Sequence, residues 1–262
     1  MPDLDSAWRA VLASPRDDAP RARFADLVAA SEPATATFVR GQLELARRRR
    51  QKARRDRQVE RSALPSPPPQ HEARFARALR LLDGTVPAWT QRLGYGRGFL
   101  DRATVSGTWF ASRGSELLAL APIVDVTVFA CPADATELFD SPAWAQVRSL
   151  RFVGAPLDTS QVDAICQSPY LGRLAVLDMS QMGLPLSALH AVIRAPLLAR
   201  LRYLRADGNE FPDPNPTVDE QDGQSFGERP SAFAESLRQQ FGARPWLEGI
   251  PQELEPHPEA LG

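Results

Sequence analysis

The chain has 262 residues, 43% of them hydrophobic and 24% charged, with a net charge of −1. That is enough apolar material for one large domain or two small ones, and it argues against global disorder. No run approaches the roughly 18 apolar residues of a membrane span, and MPDLDSAWRAVLASP has neither the basic start nor the apolar core of a signal peptide, so membrane insertion and secretion are not expected.

Residues 1–61 read as a helical N-terminal module. Asp3 or Asp5 is placed to cap a first helix running through Leu12. Asp17-Asp18-Ala19-Pro20-Arg21 then combines a carboxylate N-cap with proline in the first turn, where its missing N–H costs nothing. Phe24, Leu27 and Val28 follow at helical spacing. A third helix is predicted from about Thr35 to Arg57, with Phe38, Gln42, Leu43 and Leu45 inward. After Ala46 its apolar period stops. Residues 62–70 are proline-rich and read as a linker. Another helical stretch carries Phe75, Leu79, Leu81 and Leu82, and leads to Trp89, Leu93 and the glycines Gly94, Gly96 and Gly98.

From about residue 99 the pattern changes, and residues 71–211 read as a cap followed by repeats. Val147, Leu150, Phe152, Ala155 and Leu157 reappear 27 residues on as Leu174, Leu177, Met179, Met182 and Leu184. They return again as Leu201, Leu204, Ala206, Asn209 and Phe211. The second half of the unit repeats as well. Ser160, Val162, Ile165, Cys166, Pro169 and Leu171 align with Ser187, Leu189, Val192, Ile193, Pro196 and Leu198. Earlier, less regular units include Val126, Val128 and Cys131, and before them Ala103-Thr104-Val105. Each unit predicts a short strand with alternate residues inward, a turn, about two turns of helix and a proline. One such unit cannot bury its own apolar face, so neighbours must stack. Residues 212–230 read as an acidic loop. Residues 231–262 read as a cap helix, with Phe233, Leu237 and Phe241 on one face, and a tail.

The L-x-x-L-x-L strands and the 27-residue unit resemble leucine-rich repeats of the helix-bearing, ribonuclease-inhibitor-like subclass. The resemblance implies an α/β solenoid with parallel strands and convex helices. In that family an Asn or Cys after the strand hydrogen-bonds the turn. Here Cys131 and Asn209 fit that position, and Ala155 and Met182 depart from it. SPRDDAPRARFADLVAA, FVRGQLELAR and RGFLDRATVS resemble the bacterial repeat-companion domain, an N-terminal module that precedes such repeats. The matching residues run from Pro15, Asp17 to Arg21, Ala25 and Asp26 through Phe38, Gln42 and Leu43 to Gly98 and Phe99. The two resemblances together cover roughly residues 7–211. They imply an interaction protein and carry over no chemistry.

Catalytic, cofactor and metal residues are expected to be none. Gly94-Tyr95-Gly96-Arg97-Gly98 is not the glycine pattern of a dinucleotide cradle and reads as a turn entering the first strand. His71, His190 and His257 are scattered, and His190 aligns with Asp163 at a solvated helix position. Cys166 aligns with Ile193 as a small buried hydrophobe, and nothing pairs either cysteine with a histidine. Two cysteines make no metal quartet or disulfide framework, so the expected compartment is the reducing cytoplasm. Asp219, Glu220, Asp222 and Glu228 lack the order of a calcium loop.

Two surfaces remain. Alternate, outward strand positions are Thr127 and Phe129; Ser149, Arg151 and Val153; Val176, Asp178 and Ser180; and Tyr203, Arg205 and Asp207. Phe129, Arg151, Val153, Asp178, Tyr203 and Arg205 are the expected surface for an unidentified protein partner. The alternative is nucleic-acid contact through Arg47, Arg48, Arg49, Arg50, Arg54 and Arg55, in a stretch that also holds Lys52 and Arg57. Residues 1–61 carry 14 basic and 9 acidic residues, net +5, and residues 207–262 carry 3 and 12, net −9. No aromatic is interleaved with the basic run, so a solvated helix end is its simplest reading.

Overall fold

The computed structural model describes residues 4–52, 66–84, 86, 93–211 and 232–242. It is an α/β chain whose six strands are ordered β1-β2-β3-β4-β5-β6 in one mostly parallel sheet. The chain divides into two compact units, residues 1–127 and 128–262.

The first unit begins with α1 (Leu4–Ala13), α2 (Asp18–Val28) and α3 (Pro33–Lys52), with α2 packed on both neighbours. Asp17 caps α2 as its position suggests, its Oδ1 accepting from the Ala19 amide at 3.0 Å. One stripe of α2 is buried: Arg21, Phe24, Ala25 and Val28. Described residues of α3 end at Lys52, so the expected extension to Arg57 and the linker up to Pro65 lie outside the described residues. The next stretch is two short helices, α4 (Pro69–Ala73) and α5 (Ala76–Leu82), broken at Arg74–Phe75. The glycine cluster does more than enter a strand. Leu93–Gly96 is itself β1, and Arg97–Gly98 is the tight turn that returns the chain antiparallel as β2 (Phe99–Ser106). Gly98 needs its glycine: φ is +83°, and a Cβ would press on the Val39 backbone. Helix α6 (Gly107–Leu120) packs against β2, α1 and α5. Strand β3 (Asp125–Phe129) spans the division at residue 127.

The second unit continues with α7 (Thr136–Phe139), β4 (Ser149–Val153), α8 (Thr159–Gln167), β5 (Val176–Asp178), α9 (Leu186–Arg194), β6 (Tyr203–Arg205) and α10 (Ala232–Phe241). Short 3-10 turns at Pro142–Gln146, Leu171–Arg173 and Pro196–Arg200 precede β4, β5 and β6. β4, β5 and β6 pair in parallel with a 27-residue offset: Leu150 opposite Leu177 opposite Leu204. All three leucines are fully buried, as are Ile165 and Val192 on successive helices at 1% and 2% exposure. The sequence period is therefore the ladder register. The turn after each strand repeats too. Gly154, Gln181 and Gly208, spaced by 27, all have positive φ, at 100°, 58° and 69°.

Candidate functional site

The strand positions proposed for binding lie in register, with Arg151, Asp178 and Arg205 side by side on β4, β5 and β6. They form an ionic row. Asp178 Oδ2 lies 3.4 Å from Arg151 Nε and 3.8 Å from an Arg205 terminal nitrogen. Arg205 Nε donates to Asp207 Oδ1 at 2.7 Å. Asp178 Oδ1 accepts from the Ser180 amide and hydroxyl, at 3.0 and 2.6 Å. Burial pulls the Arg205 pKa down. The hydrogen bond to Asp207, with Asp178 close by, outweighs that and holds it above the usual arginine value.

The row is less open than alternation alone implies. Side chains of β3 and β4 alternate between buried and half-buried, but all three residues of β5 are buried. Asp178, Val176 and Tyr203 are only 5%, 7% and 7% exposed. Asp178 is covered because the register sets a long arginine on each side of it. Val176 is the register partner of Tyr203 in the same ladder. The accessible part of the face consists of the half-buried Phe129, Ser149, Arg151, Val153, Ser180, Arg205 and Asp207. Phe129 packs on the backbone at Gly154, where a Cβ would sit 2.7 Å from the ring. Glycine at this turn gives the aromatic ring its seat.

The turns behind the face are held by side chains. Asn209 accepts from the amides of Met182 and Leu184 at 3.1 and 3.0 Å. It donates to the carbonyls of Met179 and Ala206 at 2.9 and 2.8 Å. Ala155, 54 residues before Asn209, has no polar side chain, and Gln161 of α8 bonds the backbone of the turn after β3 instead. Its Nε2 donates to Pro132 O at 2.8 Å and Cys131 O at 3.3 Å, and its Oε1 closes a capping box with Asp158.

The first unit holds polar groups that the sequence reading left unassigned. Arg21 is fully buried and donates to the carbonyls of Gly96 (3.0 Å), Arg97 (3.3 Å) and Pro15 (2.5 Å), with its guanidinium 4.7 Å over the Phe99 ring. Burial, and the neighbouring Arg97, pull its pKa down to about 10. Around it Asp18, Asp101 and Asp125 face Arg97, Arg102 and Arg16 at 3.7, 3.7 and 3.8 Å, distances too long for hydrogen bonds. Burial raises the Asp101 pKa, and burial together with Asp101 raises that of Asp125 to about 6. The signal for Arg21 was present in its i, i+3, i+4, i+7 spacing with Phe24, Ala25 and Val28, which puts it on the apolar stripe.

His71, one of three histidines scattered along the sequence, is a core residue. It is fully buried among Phe24, Phe38, Phe75 and Phe99, with ring centroids 5.5–6.1 Å away. Nε2 lies 2.5 Å from Gly98 O, while Nδ1 is buried without a hydrogen bond. Burial lowers its pKa. His190, expected at a solvated helix position, is half-buried, its ring 5.0 Å from that of Phe241. Cys131 and Cys166 are free thiols, both half-buried, and burial pushes both up to about 12, far from a thiolate at neutral pH. Thus Cys166 is less enclosed than Ile193, with which it aligns.

Arg47 and Arg48 lie on α3 with side chains 64% and 73% exposed, both paired to Glu44. The backbone of Arg49, Arg50 and Lys52 continues the helix. Arg54, Arg55, Arg57, the 212–230 loop, His257 and the tail beyond Gly242 lie outside the described residues. Among the described residues, no group of three or more His, Cys, Asp or Glu is placed to hold a metal ion. Nor is any helix there long and apolar enough to cross a membrane. Comparisons with protein-family models, curated proteins and solved structures found no match to the chain.

Proposed function

We propose that this chain is a short solenoid of leucine-rich-repeat type, preceded by a helical module like the repeat-companion domain. In this reading it acts as a non-catalytic cytoplasmic scaffold that binds a protein partner through its strand face. One observation carries the proposal: β4, β5 and β6 pair in parallel at the 27-residue period of the sequence and bring Arg151, Asp178, Arg205 and Asp207 into one row. The four-bonded Asn209 supports the same reading, since it holds the turn as the family's polar residue does. Half-buried Arg151, Arg205 and Phe129 are residue types that suit a protein interface. Because Asp178 already bridges both arginines, a partner must offer hydrogen-bond acceptors that compete with it.

The test is affinity purification with the full chain and an Arg151→Gln/Asp178→Asn/Arg205→Gln variant. Replacing all three leaves no buried carboxylate unpaired. The proposal expects a partner retained by the native chain and lost by the variant, with thermal melting little changed. Purified protein is expected to give only background in hydrolase and transferase screens. Robust turnover abolished by one point substitution overturns the scaffold reading.

A further inference from the structure

We infer that the basic end of α3, Arg47 to Lys52, is a second binding surface that contacts the phosphate backbone of duplex nucleic acid without reading its sequence. The inference does not rest on the strand-face reading.

Among the described side chains of the helix, burial declines toward its C-terminal end. Ala36, Phe38, Val39 and Gln42 are buried, whereas Leu43, Leu45 and Ala46 are half-buried and Arg47 and Arg48 exposed. The backbone nevertheless stays helical through Arg-Arg-Arg-Arg-Gln-Lys. Five cations in six residues repel one another, and two of them are offset within the chain by a single carboxylate. Glu44 Oε2 meets Arg47 Nε at 3.0 Å, and Glu44 Oε1 meets Arg48 Nε at 2.9 Å. This arrangement engages both guanidiniums by their Nε atoms and sets one carboxylate against two arginines. The two pairings draw the Glu44 pKa below its usual value.

A polyanion offsets that excess best. Arginine presents a planar fork suited to phosphate oxygens. Duplex nucleic acid supplies one charge per ~1.7 Å of axis. A membrane-surface helix needs an apolar face to insert, and Arg47–Lys52 contains no apolar residue. Base reading is not expected either. The segment has no aromatic to stack, and its only amide side chain is Gln51. What remains is contact with the phosphates.

The experiment is fluorescence anisotropy on the full chain with two 20-base-pair duplexes of unrelated sequence. Both are expected to bind alike. Affinity is expected to fall roughly a hundredfold between about 50 and 200 mM salt, the slope of about four phosphate contacts. Changing Arg47, Arg48, Arg49 and Arg50 to Gln raises Kd at least tenfold, while Glu44→Gln, which removes the internal competitor, tightens binding. Circular dichroism melts of both variants should match the native chain, since the side chains observed at Arg47, Arg48 and Glu44 are not buried. The Arg151/Asp178/Arg205 variant keeps duplex affinity, which separates this surface from the strand face. No binding at 50 mM salt overturns the inference. So does binding indifferent to the arginines, or tighter binding to vesicles of equal phosphatidylserine and phosphatidylcholine.

Discussion

Arg21 in the first unit and Asn209 in the second both direct their side chains at backbone carbonyls, but in different company. Arg21 ties together Pro15, Gly96 and Arg97, carbonyls 6 to 76 residues away from it, from a fully buried position beside Phe99. Asn209 reaches one repeat back, to groups 3–30 residues away. Beside Thr35, Gln42 and Thr104 the first unit buries an arginine, a histidine and a carboxylate, while the second buries Ser141, Gln161, Ser168 and Asp178, each with hydrogen bonds of its own. Repetition explains the contrast. A periodic unit satisfies its polar groups from the neighbouring unit by the same short reach each time. A single-copy module has no such neighbour, and Arg21 and His71 find partners 75 and 27 residues along the chain. The first solution tolerates local change better than the second.

The largest expected effect tests this directly. Arg21→Ala removes three carbonyl partners at once and opens a cavity against Phe99, so the first unit is expected to lose ~3–5 kcal/mol in chemical denaturation. A loss under ~1 kcal/mol would dissolve the contrast between the units. In the second unit, Leu177→Ala is expected to cost ~2–5 kcal/mol by cavity formation, because Leu177 has no exposed surface and stands between Leu150 and Leu204. Hydrogen exchange resolves where the loss falls, and protection should drop at β4, β5 and β6. Asn209→Ala strands two amides and two carbonyls and is expected to cost ~2–3 kcal/mol. Full retention of stability there would mean water replaces the side chain and the turn does not need it.

Acid–base behaviour sharpens the same comparison. His71 has a lowered folded pKa, so its contribution is complete above about 6.5, the unfolded value, and is lost as pH falls through that range. Asp101 and Asp125 are both raised, so their contribution is present at low pH and lost as pH rises, for Asp125 through about 6. Asp125 keeps 32% side-chain exposure, which screens part of its effect. The opposing signs predict a shallow melting profile between about pH 5 and 7. His71→Phe should tilt it toward acid stability, and Asp125→Asn toward neutral stability. Parallel profiles for the two variants would refute the assignment.

The smallest effect is a gain. Gln181 occupies the left-handed turn that Gly154 and Gly208 occupy one repeat away. Gln181→Gly is expected to stabilise by ~0.5–1 kcal/mol, read as a higher Tm. A decrease would show that its side chain contributes more than its backbone costs.

Much of the second unit was legible because a 27-residue repetition writes its register three times. Leu150, Leu177 and Leu204 name one another, and their pairing follows from that spacing. The partner-surface residues were legible as positions, not as environments. Alternation marked Asp178 and Tyr203 as outward, but it could not show that lateral neighbours cover them. In the first unit, Asp17, Pro20 and the α2 stripe were readable because capping and helical periodicity are local. The burial of His71, 27 residues from its Gly98 partner, left no local trace.

The amino-acid order by itself determined the helices of the first unit, the strand period of the second and the basic end of α3. Those features depend on spacing between near neighbours and on charge. Only the tertiary structure decided that Arg21 and His71 are core residues, that Arg97–Gly98 is a hairpin turn, and that Arg151, Asp178, Arg205 and Asp207 neutralise one another. Each of those depends on which distant groups arrive at the same place, and desolvation and hydrogen bonding act only once they have.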